Sequence, residues 1–181
     1  MQIRTRMGIS VDGFIATPDG RPAFLAMPDF VPHNSYGWSE FNEQIDAVVM
    51  GRVGLDAGLH NWFQNNDWPW PGKQIYVLTS RAVPGSVPAD VVIADETPSG
   101  LVEKLRAADL SGDAFLLGGQ RTLNAFLTLG AIDRLELLQL PVLLGEGIPF
   151  SLPGSPLRSL QLQQQYAFPD GTIQHVYTIC S

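Results

Sequence analysis

The chain has 181 residues, 45% of them hydrophobic and 16% charged, with a formal net charge of −7. That size and composition suit one globular domain with a self-sufficient core and exclude a disordered segment. The acidic balance argues against a nucleic-acid partner held on a general basic face. No apolar run approaches the roughly 20 residues of a membrane span, and the opening MQIRTRMGIS does not read as a signal peptide. Cys180 is the single cysteine, which excludes an intrachain disulfide and fits a reducing, cytoplasmic setting. His33, His60 and His175 stand far apart without partners at ligand spacing, so no metal site is expected.

In chain order, short β-rich runs alternate with helical patterns. Strands are expected over 2–9, 47–50, 74–79, 90–94 and 114–117, and helices over 39–45, 53–59, 99–108 and 122–129. Ser39 is a cap for the first helix, and Thr97 or Ser99 for the third. Runs such as AVVM and AFLL are apolar throughout, as strands are when both faces of a parallel sheet are covered. After Gly130 the pattern changes to strands over 134–141, 157–166 and 172–179, with Pro169-Asp170-Gly171 as a turn. The expectation is a single α/β domain: a sheet parallel in its first two thirds and closed by an antiparallel C-terminal edge pair. Two long loops, 17–37 and 60–73, have the length of functional loops.

Three strand ends carry chemistry. AVVM runs into Gly51-Arg52, IYVL into Thr79-Ser80-Arg81, and AFLL into Gly118-Gly119-Gln120-Arg121-Thr122. Between Ile45 and Glu103 the Lys and Arg residues are Arg52, Lys73 and Arg81 alone, and both arginines sit where a strand ends. In open α/β sheets ligands bind beyond those ends. A glycine pair lets free helix N–H groups meet a pyrophosphate, and arginine offers forked donors to a further phosphate. Neither G-x-G-x-x-G after the first strand nor G-x-x-x-x-G-K-[ST] is present, which sets aside the usual dinucleotide fingerprint and the P-loop.

Taken in order, the runs SVDGFIA (10–16), VMGR (49–52), LTSR (78–81) and LGGQRT (117–122) resemble the dihydrofolate reductase superfamily. With GAIDRLEL (130–137) and PVLLGEGIPF (141–150), the chain is most similar to the branch containing the reductase domain of the riboflavin-biosynthesis deaminase-reductase. The resemblance covers about residues 2–150. It implies a dihydrofolate reductase-like sheet, mostly parallel with antiparallel C-terminal edge strands, and NADPH as cofactor. By the resemblance, Gly51, Arg52 and Val53 would open a helix against the adenine-side phosphates. Ser80 and Arg81 would hold the 2′-phosphate, and Gly118, Gly119, Gln120, Arg121 and Thr122 the pyrophosphate. Gly8 and Ile15 would offer backbone groups to the nicotinamide carboxamide, and Asp12 with Gly13 would shape the loop beside it. That segment also reads as a simple turn in which Asp12 bonds nearby amides.

Gly54 stands where family members often carry a threonine, which puts one phosphate contact in doubt. Asp29, Glu40 and Glu43 lie near the position of the family's pterin-protonating carboxylate but match no motif, so no catalytic acid is named. Arg6 and Arg21 are the basic residues near enough to meet a substrate phosphate. The zinc signature of a linked deaminase, H-x-E with P-C-x-x-C, is absent. Trp38 is a substrate-side residue by position, and the tryptophans of 60–73 either pack, wall a pocket or form a dimer face. The resulting expectation is an NADPH-dependent reductase of a small heterocyclic, carbonyl or imine substrate. The alternatives are a phosphoribosyl diaminopyrimidine reductase and a non-catalytic nucleotide or small-molecule binder. Partners are a small molecule and, through the apolar C-terminal strands, a second copy in a homodimer.

Overall fold

The structure, a computed structural model, describes residues 1–180 apart from 32–34, 66–67, 84 and 86, and the backbone alone of 61–65. His33 and the Trp62 side chain therefore lie outside the described residues.

The first strand, β1 (Ile3–Ser10), lies in the interior of an eight-stranded sheet whose members enter from both sides. β3 (Ile45–Gly51), β4 (Gln74–Leu78) and β5 (Val91–Ala94) build outward from it, and β6 (Asp113–Gly118) inserts between β3 and β1. β7 (Arg134–Leu140) pairs parallel on the other flank of β1. β10 (Ile173–Cys180) and the edge strand β9 (Ser159–Ala167) close that side antiparallel, as expected. The order is β5-β4-β3-β6-β1-β7-β10-β9.

Side-chain alternation explains the apolar runs. In β3, Ala47 and Val49 join one core, while Val48 and Met50 join the other; Ile45 joins the second too, across a register slip between Ile45 and Ala47. The first core is roofed by α3 (Pro98–Ala107) and α4 (Gln120–Thr128) through Leu101, Leu105, Leu123 and Phe126, all fully buried. The second is roofed by α1 (Trp38–Glu43) and α2 (Arg52–Asn65) through Phe41, Leu55 and Leu59. Burying side chains of this size stabilises by about 1.5–3 kcal/mol each, so both faces of the sheet contribute to folding. Thr97 caps α3, its side chain accepting from the Gly100 N–H at 3.2 Å.

Four sequence expectations change. Ser39 does not cap the first helix: it lies inside α1, whose cap is Gly37 without a side-chain bond. The helix expected to end at 59 runs on to Asn65, so the second long loop is much shorter than 60–73. Gly58, a poor helix residue, sits in its middle because the indoles of Trp68 and Trp70 come within 3.0 and 3.1 Å of where a Cβ would stand. The first long loop carries a short 3-10 helix (Ala23–Ala26). Its flanking residues add a strand, β2 (Phe14–Ala16), that pairs with β8 (Ile148–Pro149) in a small separate sheet. Segments this short give no periodicity, and their pairing is fixed by distant partners.

The second core also buries charge. Glu136 on β7 is 2% exposed. It accepts from Arg4, from Arg134 Nε at 3.0 Å and from Gln174 Nε2 at 3.1 Å, while Arg6 lies at 3.9 Å. Arg4 and Arg6 flank the Phe41 ring at 4.8 and 5.1 Å.

Candidate functional site

The topology dictates where a crevice opens. From β3 the chain passes through α2 on one face and moves outward to β4. From the adjacent β6 it passes through α4 on the other face and moves across β1 to β7. Adjacent strands that send their helices apart leave a gap at their carboxyl ends, the usual place for a ligand in such sheets. The register brings Leu78, Gly51 and Gly118 side by side there. The three polar strand ends picked out in the sequence are therefore neighbours in space.

Each glycine has a separate reason. A Cβ on Gly51 would stand 2.7 Å from Thr122 Oγ1, so the end of β3 and the first turn of α4 approach too closely for a side chain, while the Gly118 carbonyl at 3.7 Å would be an ordinary contact. Gly118 and Gly119 have φ of 104° and 68°, a region that L side chains avoid. Gly119 caps α4 without any side-chain bond, which leaves the N–H groups of Gln120, Arg121 and Thr122 for solvent or a ligand.

The arginines are placed unequally. Arg52 Nε meets Asp56 at 2.6 Å and its NH1 donates to the Ala82 carbonyl at 2.6 Å, which ties the start of α2 to the turn after β4. Arg81 opens that turn, its own N–H donating to Thr79 Oγ1 at 3.1 Å. The Arg81 and Arg121 guanidinium groups are exposed and make no hydrogen bond or ion pair to the described residues. Ser80 is exposed beside Arg81, and Val53 is 71% exposed on the first turn of α2.

On the other side of α4, residues distant in sequence build a roof. β8 pairs with β2, which carries Ile15, and Gln120 Nε2 donates to the Pro149 carbonyl at 3.1 Å. Asp12 accepts from the Leu144 and Gly145 N–H groups at 3.2 and 2.7 Å. A bond from the Ser10 hydroxyl, followed by these amides, holds the Asp12 carboxyl below its ordinary range. Asp12 thus bonds amides, as the turn reading supposed, but amides more than 130 residues away. Gly8 lies in β1 with the Phe24 and Leu140 side chains 3.4 and 3.5 Å from its missing Cβ.

Arg6 corrects one expectation: it does not reach toward a substrate phosphate. Its side chain is 5% exposed, and its guanidinium donates to the Tyr36 carbonyl and, at 3.1 Å, to that of Gly37. Burial lowers its pKa below the ordinary arginine value. Arg21 is exposed and donates to the Leu25 carbonyl at 3.1 Å. One feature had no usable sequence signal, and one expected substrate-side residue stands elsewhere. Tyr36 adopts φ 58°, rare for a side chain of that size, and is held by Arg6 at its carbonyl and by Asp170 at its hydroxyl. Trp38 lies away from the glycine crevice, in a groove it shares with Trp68.

Comparison with known proteins agrees with this architecture. The family model described as the RibD C-terminal domain matches residues 2–174. YyaP of Bacillus subtilis (strain 168), itself described as uncharacterized, is 25% identical over 94% of this chain and 91% of its own. Among solved structures, a putative riboflavin biosynthesis protein from Shewanella sp. PV-4 superposes with a TM-score of 0.83 at 26% identity over the whole of both chains. A pyrimidine reductase-like protein from Corynebacterium diphtheriae superposes at 0.66 and 18% identity, over 99% of this chain and 92% of its own, a likeness of fold.

Proposed function

The chain belongs to the RibD C-terminal domain family, and from that membership and the crevice we propose that it is an NADPH-dependent reductase of a small heterocyclic, carbonyl or imine substrate. One observation carries the reading. Of eleven Lys and Arg residues, nine spend their charge within the protein: Arg4, Arg6, Arg52, Lys104, Arg106 and Arg134 on carboxylates, Arg21, Lys73 and Arg158 on carbonyls. The two without a hydrogen bond or ion pair to the described residues are Arg81 and Arg121. Both stand at the crevice, at the ends of strands two places apart, or roughly 10 Å. In a chain of net charge −7, that is a site for a ligand carrying separated phosphates.

The residues fit such a cofactor. The first-turn N–H groups of α4 and its dipole would hold a pyrophosphate, with Arg121 beside it. Ser80 and Arg81 would take a 2′-phosphate, and Gly51 gives the room for backbone and ligand to approach. The roof of β2 and β8 would cover the nicotinamide end near Gly8. NADPH, when bound, supplies the hydride, and the protein contributes orientation, neutralisation of charge and exclusion of water. A phosphoribosylated substrate fits less well, because Arg6 is buried and bonded. The reading carries a cytoplasmic setting. It also carries a homodimer, since β9 is nine residues long, exposed throughout, uncharged and at the sheet edge. Sedimentation at a monomer's mass at micromolar concentration would remove the dimer.

Thermal melts with NADPH, with NADH and with neither test the cofactor. A ligand at 100 times its dissociation constant adds about 2.7 kcal/mol. NADPH should raise the melting temperature well above the effect of NADH, and Arg81→Ala should bring the two together. Equal, absent shifts in the unmodified protein end the reductase reading.

A further inference from the structure

The phosphate groups of the proposed cofactor fix its direction along the sheet edge. Arg81 follows β4 and the first turn of α4 follows β6, with β1 next in order. A dinucleotide with its 2′-phosphate on the first and its pyrophosphate on the second carries its remaining half across β1, beneath β2 and β8. Resting on that reading, we infer that Gln120 is a positioning residue for the nicotinamide. Its backbone N–H stands among those offered to the pyrophosphate, and its side chain holds the roof over the ring.

The roof contains a residue set up to meet a ligand. Phe14 pairs with Pro149 and Ala16 with Ile148, and the register slips between them, so Ile15 is the extra residue of a bulge. A bulge leaves its extra residue outside the ladder and re-aims it. The Ile15 backbone keeps that aim only while β8 holds β2. β8 is two residues long and cannot stand alone. From the β1 side, Asp12 accepts from the Gly145 N–H at 2.7 Å and the Gly13 carbonyl from the Phe150 N–H at 3.1 Å. From the α4 side, Gln120 Nε2 donates to the Pro149 carbonyl at 3.1 Å. Pro149 lies opposite Phe14, so this bond lands one residue from the bulge.

Gln120 is also the first of a row. One turn on, Asn124 Oδ1 accepts from the Ser155 hydroxyl at 2.8 Å. At the end of the helix the Leu127 and Thr128 carbonyls accept from Arg158 at 3.3 and 3.1 Å. Residues spaced by three and four lie on one helix face, so the segment 149–158 is laced along α4 from its ligand end to its C-terminus. Of the three contacts, only that of Gln120 joins the roof strand to the first turn. A movement of α4 toward a bound pyrophosphate is thereby passed to Pro149 and to the bulge at Ile15.

Two ligands with the same phosphates test this: NADPH, and 2′-phospho-ADP-ribose, which lacks the nicotinamide. The parent protein should bind NADPH the more tightly, and the reduced ring's own fluorescence should rise at saturation as the roof excludes water. Gln120→Met keeps the length and helix propensity of the side chain but loses the donor. It should bind 2′-phospho-ADP-ribose as the parent does, bind NADPH about fivefold more weakly, and lose most of the gain in emission. Asn124→Ala removes the next contact of the row and should keep the parent's ratio and emission, which separates positioning from plain loss of packing. Parental ratio and emission in Gln120→Met, an equal loss for both ligands, or the same loss in Asn124→Ala overturns the inference. A parent that binds both ligands equally and without brightening overturns it while leaving the phosphate site standing. A parent that binds neither ends the cofactor reading and this inference together.

Discussion

Replacing Gly51 with alanine adds one methyl group at the point where β3 and α4 come closest. The new Cβ would lie 2.7 Å from Thr122 Oγ1, about 0.7 Å inside the 3.4 Å at which ordinary contact begins. Thr122 belongs to the first turn of α4, so the helix start must shift or the threonine must leave its rotamer. Overpacking of this kind costs about 1–3 kcal/mol, against about 0.4–1 kcal/mol that alanine returns by restricting the unfolded chain. For a chain of this length each kcal/mol lowers the melting temperature by about 2–4 °C, so a net loss of up to roughly 10 °C is expected. Thr122→Ala removes the offending oxygen and leaves its Cβ at 3.9 Å, an ordinary contact. The double variant should therefore recover most of the loss, a coupling that a calorimetric double-mutant cycle reads directly. Recovered stability with no recovered NADPH shift assigns the Thr122 hydroxyl to the cofactor. A Gly51→Ala protein as stable as the parent, or a double variant with additive losses, refutes the close approach on which the site was built.

Glu136→Gln keeps the shape of the buried cluster but takes from Arg4 one of its two carboxylates, Asp113 remaining, and from Arg6 its nearest one, and urea denaturation should show a loss of about 1–3 kcal/mol. A loss below about 1 kcal/mol contradicts that role. Asp12 has a folded pKa below its ordinary value, so its bonds with the Ser10 hydroxyl and then with the Gly145 and Leu144 amides contribute stability above that ordinary value, near 4. The contribution disappears as pH falls through the lower folded value. The gap in melting temperature between the parent and Asp12→Leu should be open at pH 7 and close below pH ~4, and a gap independent of pH counts against the carboxylate.

How much was legible follows from the range over which each feature is determined. Gly118-Gly119 and Thr79-Ser80-Arg81 are local: a strand run, a conformation reserved for glycine, a helix start. Their positions were readable, and so was the parallel sheet with its antiparallel edge. Asp12 was readable as an amide-binding residue but not as a partner of Leu144, since no local pattern names an amide so far along the chain. Arg6 misled for the same reason. In the sequence it is a base near enough to meet a substrate phosphate, and only the packing of Glu136, Phe41 and the Tyr36 carbonyl turns it inward. The helix expected over 53–59 runs on to Asn65 with Gly58 inside it. The reason for that glycine, two indoles seated on the helix, lies ten and twelve residues further on.

The distribution of charge links these cases. Burying Arg4 and Arg6 is expensive, and their bonds to Glu136 and to the 36–37 carbonyls are what make it tolerable. The same bonds hold Tyr36 in its unusual conformation, and Tyr36 in turn grips Asp170 in the β9–β10 turn. The loop from β2 to α1 is therefore fastened at its end by side chains of β1 and of the C-terminal hairpin. At the carboxyl ends of β4 and β6, by contrast, Arg81 and Arg121 are exposed and make no hydrogen bond or ion pair to the described residues. Arg4 and Arg6, in the first half of β1, have their charge locked into structure, so the cations left available to a ligand stand at the carboxyl edge of the sheet.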